Sequence, residues 1–158
     1  MAISDIYTAD SGLVNISVTT ANQPVLNART AATKRCFITG VRMKVGVNSI
    51  AAGNTVLFTL ARVTTAGTGG TQVTARPHDS TSAAAFTTAF IPSYTIAPTI
   101  QNILAEWVLP CTTGSMWEEF PPLGYEWVAP ISDQITGFVT LSNAASAVPV
   151  EWQFVISE

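Results

Sequence analysis

The last segment of the chain constrains its fold more than any other. Val148, Val150, Trp152, Phe154 and Ile156 alternate with Pro149, Glu151, Gln153, Val155 and Ser157. A two-residue period puts the first set on one face of an extended strand and the second set on the other. The same pattern recurs upstream. From Phe37, the odd positions Phe37, Thr39, Val41, Met43, Val45 and Val47 make a dry face, and Gly40, Arg42, Lys44 and Gly46 a wet, basic one. Val56, Phe58 and Leu60 form the next inward set, with Arg62 expected to leave the core. Ile103, Ala105, Trp107 and Leu109 form another, and Ile135, Val139 and Leu141 lead into the final strand. Shorter runs at Leu13–Val18, Pro24–Arg29, Gln72–Arg76 and Phe90–Ile96 bring the expectation to eight or nine strands.

Turn signals separate these runs at short intervals: Ala52-Gly53-Asn54, the Gly/Thr-rich Thr64–Thr71, Pro110–Ser115, Ala129–Asp133 and Ser142–Ala147. Alternation over many strands with such spacing predicts an all-β domain of antiparallel sheets, a sandwich or a barrel. Only Ser80–Ala89 has helix-friendly content, enough for one short helix near 80–89 with Asp79 as its N-cap. A length of 158 residues suits one domain. It is expected over residues 13–158, behind an N-terminal arm of residues 1–12.

Charge narrows the function classes. Only 11% of residues are charged while 47% are hydrophobic, a surface more comfortable when copies of itself or a partner cover part of it. Residues 1–79 carry all seven basic side chains against three acids, +4; residues 80–158 carry no base and seven acids, −7, for a net −3. Such a split suits like copies meeting unlike surface to unlike surface. Negative net charge without interleaved aromatics and bases argues against nucleic acid. No apolar run approaches the ~20 residues of a membrane-spanning helix, and "MAISDIYTADSG" does not read as a secretory leader. Cys36 and Cys111 fit two free thiols of a reducing cytoplasm, with one long-range disulfide left open.

No catalytic, cofactor or metal motif stands out. The single histidine, His78, lies in a loop without a nucleophile motif, and no Cys or second His is spaced to share a metal with it. The Gly/Thr-rich stretch lacks the Lys-Ser/Thr of a phosphate loop and reads as a long hairpin loop. The densest chemistry is Trp117–Trp127, "WEEFPPLGYEW". Glu118 and Glu119, as neighbours on extended backbone, project apart, so Glu118 with Glu126 is the better carboxylate pair. Trp117, Tyr125 and Trp127 would make a sugar-binding platform. As a corner, Pro121-Pro122 stops one ladder and Gly124 permits the turn. Tyr125 and Trp127 then share a dry side, and Glu118, Glu119 and Glu126 face solvent or the basic edge of a neighbouring copy. Together with Arg42 and Lys44 these are the candidate interface residues.

Residues 103–158, with the Pro-Pro-Leu-Gly corner, "YEWVAP" and the closing "QITGFVTLSNAASAVPVEWQFVISE", resemble small jelly-roll proteins of tailed-bacteriophage virions, capsid decoration (cement) proteins among them. The resemblance implies an antiparallel β-sandwich of jelly-roll type with about eight strands. It also implies a non-enzymatic virion protein, made in the host cytoplasm, that binds the major capsid protein on the outside of the head. A homotrimer at three-fold or quasi-three-fold axes is part of that expectation, with residues 1–12 reaching along the shell or to a sister protomer. Tail-fibre tips and baseplate modules share much of the pattern, so the alternative is a receptor- or carbohydrate-binding module with a glycan partner.

Overall fold

Most of the alternating runs become strands. The computed structural model describes residues 5–16, 21–46, 54–65, 67–79, 81, 84–85, 87–111, 114–142 and 147–158. Its strands are β1 (Ile6–Asp10), β2 (Val14–Ile16), β3 (Gln23–Arg29), β4 (Cys36–Val45), β5 (Thr55–Thr65), β6 (Thr68–Val73), β7 (Arg76–Pro77), β8 (Thr88–Ile96), β9 (Thr99–Pro110), β10 (Met116–Glu119), β11 (Trp127–Ala129), β12 (Gln134–Ser142) and β13 (Val148–Ser157). One sheet runs β10-β4-β13-β1-β7, with β11 also along β4 and β2 along β13; the other runs β6-β8-β3-β12-β5-β9. Take β1, β3, β4, β5, β9, β10 with β11, β12 and β13 as principal strands one to eight. The sheets then read one-eight-three-six and two-seven-four-five, the winding of a jelly roll.

The core lies between the sheets, and β13 anchors it. Val148, Val150, Trp152, Phe154 and Ile156 are all fully buried, as the alternation requires. Trp152 packs edge-on against Phe58 and Phe154 at 5.5 Å and against Trp107 at 5.9 Å. Aromatic pairs of this geometry add about 0.5–1.5 kcal/mol each beyond burial. Gly137 on β12 makes room for the indole: a Cβ there would stand 2.8 Å from the ring.

Three expectations about facing are corrected by bulges and by reach. Val41, Met43 and Val45 point inward as expected, but so do Cys36 and Ile38, which leaves Phe37 and Thr39 on the outer face. The β4–β13 register shifts between Val155 and Ile156, and the extra residue in β4 reverses the parity beyond it. A shift between Leu60 and Ala61 does the same to β9 and leaves Ile103 exposed. Arg62 does not leave the core row. It stays opposite Ile135 and spans to the other sheet, donating from Nη2 to the Val128 carbonyl at 2.7 Å.

The ends of the chain and the middle excursion also differ from the sequence reading. The arm expected at residues 1–12 is in part a strand: β1 sits between β13 and β7, with Tyr7 and Ala9 buried, while residues 1–4 lie outside the described residues. The Gly/Thr-rich stretch is largely strand, not loop, since β6 pairs with β8 through a bulge at Gly69. No helix occurs among the described residues. Asp79 Oδ1 accepts from both the amide and the hydroxyl of Thr81 at 2.8 Å, a capping contact on a turn, and residues 80, 82, 83 and 86 lie outside the described residues.

The excursion between β5 and β9 gives the sandwich two unlike sides. β8 pairs with β3 and β7 with β1, so the chain itself covers the β3/β1 side. At the opposite side, β9 pairs with β5 alone, and β10 and β11 pair with β4 alone.

Candidate functional site

That uncovered side carries the Trp117–Trp127 corner. In register, Met116 lies opposite Lys44, Trp117 opposite Met43, Glu118 opposite Arg42, and Trp127 opposite Ile38. Cross-strand partners share a face, so Arg42, Lys44 and Glu118 stand together on the outer face of the first sheet. The Arg42 guanidinium makes an ion pair with the Glu118 carboxylate. Lys44 Nζ approaches Glu151 at 4.0 Å. Both pairs are solvent-facing, worth about 0–1 kcal/mol each.

The turn between β10 and β11 is closed by its own hydrogen bonds. The Tyr125 amide donates to the Pro122 carbonyl at 2.9 Å, and Gly124 takes φ +90°, a conformation an L side chain resists. The Gly124 amide donates to Glu126 Oε2 at 2.8 Å. Glu119 Oε2 accepts from Trp107 Nε1 at 2.7 Å, which ties the corner to β9 in the other sheet. Trp127 stacks edge-on against the same Trp107 at 5.9 Å and is half-buried.

All eight candidate residues therefore gather around β4, but their roles shift. The three corner carboxylates each have a partner within the chain: Arg42 for Glu118, the Trp107 indole for Glu119 and the Gly124 amide for Glu126. Glu118 and Glu126, the pair weighed as acid and base, are each held by a different partner. Tyr125 and Trp127 do not share a dry side. Trp127 belongs to the edge of the core, whereas Tyr125, in the turn, is 77% exposed. What the corner presents outward is apolar: Leu123 is 95% exposed, Phe120 61% and Trp117 50%, with Met116 beside them. Sequence reading passed over Met116, Phe120 and Leu123, although apolar residues flanking a Pro-Pro turn were the available signal.

On β9, in the other sheet, Ile103 and Val108 also face solvent. Phe120 lies flat on Gly40, where a Cβ would come within 2.5 Å of its ring. Beside the corner, Ile6, Phe37, Thr39, Leu123, Glu126 and Ser157 line an open cleft of about 390 Å³.

Elsewhere the chemistry is quiet. Thr8, Asp10, Arg76 and Gln153 line a polar cleft of about 340 Å³ near the covered side. Thr8 Oγ1 meets His78 Nε2 there at 2.6 Å. Burial first, then the neighbouring Asp10 carboxylate, raise the Glu151 carboxyl above its ordinary value, outweighing the distant Lys44 ammonium. Cys36 and Cys111 are buried free thiols, and burial pushes Cys36 up to about 12, which keeps it protonated. Among the described residues no group of three His, Cys, Asp or Glu side chains could hold a metal ion.

No protein-family model matches the chain, and no curated protein matches it.

Proposed function

We propose that the chain is a non-enzymatic assembly module: a virion structural protein that binds the outside of a phage capsid and stabilises the shell as an oligomer. The observation that carries the assembly reading is the uncovered side of the sandwich. Trp117 stands exposed on β10 and Phe120, Leu123 and Tyr125 on the turn that follows it, and among the described residues β9 pairs with β5 alone. Exposed apolar clusters mark contact surfaces, and aromatic anchors dominate the energy of such contacts. The capsid as partner is drawn from the resemblance of residues 103–158 to decoration proteins, and the low charge of the chain agrees with a surface covered on assembly. The test adds purified protein to expanded phage heads and follows their thermal disruption. Wild type is expected to bind and raise the disruption temperature, and Leu123→Asp with Phe120→Asp to do neither while remaining folded. Heads that neither bind the protein nor gain stability overturn the capsid reading.

One observation favours a second reading, a glycan-binding module. Trp117 and Tyr125 remain exposed and so are free to stack on sugar rings, although Trp127, packed on Trp107, no longer belongs to the platform. A glycan array with wild type, Trp117→Ala and Tyr125→Ala decides it. Signal lost in both variants supports the module, and the absence of any hit at millimolar concentration removes it.

A further inference from the structure

We infer that the free edge of β9 receives an added strand from another protein, supplied by an extended segment that alternates apolar residues and is flanked by Lys or Arg. The inference rests on the assembly reading in taking the uncovered side as the contact surface, and it specifies the chemistry of the partner.

β9 is a long strand with a partner on one side only. Among the described residues no backbone hydrogen bond joins it to any strand but β5. Its stretch Ala105–Pro110 pairs with β5 in regular register, so the outward row of amides and carbonyls there is unbroken. Edges of this kind are normally guarded by lysine, an inward charge, a proline or a bulge. This one has no lysine, its proline falls at the last residue, its bulges lie before Ala105, and its one charge is Glu106. Val108 stands exposed beside that edge. Water solvates such a row in the free protein and an added strand can replace it, its alternating apolar side chains extending the surface of Ile103 and Val108.

Charge selects the partner. The side carries Glu106, Glu119 and Glu126; of the bases on the flanking strands, Arg42 is paired with Glu118, Lys44 lies near Glu151, and Arg62 turns inward to the Val128 carbonyl. From residue 80 to the end the chain holds no Lys or Arg. Two copies meeting edge to edge would therefore bring acids together with no base between them, whereas a strand flanked by lysine or arginine meets complementary charge.

The test uses the whole chain and a fluorescent peptide of alternating Thr and Val with lysines at both ends, against the same peptide ended in glutamates. Anisotropy is expected to show binding of the lysine peptide, at least about tenfold weaker binding of the glutamate peptide, and loss of affinity with added salt. Glu106→Lys and Val108→Lys, both at exposed positions, are expected to weaken the lysine peptide by a similar factor. Hydrogen exchange should slow at the amides of Ala105–Leu109 when that peptide is added. Equal affinity for the two peptides, no binding at millimolar concentration, or no slowing in β9 overturns the inference. So does a dimer by light scattering that Val108→Lys abolishes, which would assign the edge to a second copy. Peptide binding that persists while heads are not bound removes the capsid reading alone. Head binding without peptide binding removes this inference alone.

Discussion

Gly137 and Gly40 both lie under an aromatic ring, and the difference between them shows what holds the core. At Gly137 a methyl would press on Trp152, which is fully buried and wedged between Phe58, Phe154 and Trp107. The ring has nowhere to go, so Gly137→Ala is expected to cost about 1–3 kcal/mol in chemical denaturation. At Gly40 the ring is that of Phe120, more than half exposed and able to swing away. Gly40→Ala is expected to cost less than Gly137→Ala, and the reverse order would contradict this packing. Glu151 offers a test by pH. Its folded carboxyl holds its proton more tightly than the unfolded chain does, mainly through burial and then through Asp10. The group therefore adds stability below its ordinary value of 4.5 and loses it as pH rises through the raised folded value. Glu151→Gln, which cannot ionise, is expected to flatten the decline of stability with pH above 4.5. Denaturation curves whose pH dependence the substitution leaves unchanged, or steepens, would contradict the assignment.

At the scale of the strand, legibility followed locality. β13 was readable because its alternation is unbroken and its inward set is large and apolar. In β4 the same reading failed before Gly40, since the parity of Phe37 and Thr39 is set by a bulge against β13, and nothing within β4 announces it. β9 failed at Ile103 for the same reason. β6, with Gly69 and Gly70, has little strand propensity of its own and owes its conformation to pairing with β8. The first strand was missed because Ile6–Asp10 is short and its inward residues, Tyr7 and Ala9, differ greatly in size. Its central place in the sheet yields a direct expectation. Deleting residues 1–12 removes a fully buried tyrosine and two ladders, and should cost at least about 3 kcal/mol. A free arm would be removable with no loss, and an unchanged melting temperature for the truncated protein would contradict the strand.

Across the whole molecule, the antiparallel all-β architecture was legible from many weak signals that agreed and the jelly-roll type was implied by the resemblance, whereas the difference between the two sides of the sandwich was invisible in the sequence. That difference depends on where the excursion from β6 to β8 lands: β8 beside β3 and β7 beside β1, far from it in the chain. The Pro-Pro and Gly residues of the corner do form the turn between β10 and β11, with Gly124 at φ +90°. The corner's carboxylates bond to Arg42, Trp107 and the Gly124 amide, and Phe120, Leu123 and Tyr125 stand exposed beside them. The proposed assembly role rests on this contrast between a side covered by the chain itself and a side with exposed apolar residues. The most direct measurement is hydrogen-exchange mass spectrometry of the protein free and bound to expanded phage heads. Protection is expected over Ile103–Leu109 and Met116–Tyr125, with little change over Thr68–Pro77. Protection confined to Thr68–Pro77, or no difference between the free and head-exposed protein, would contradict an assembly surface on the β9 and corner side.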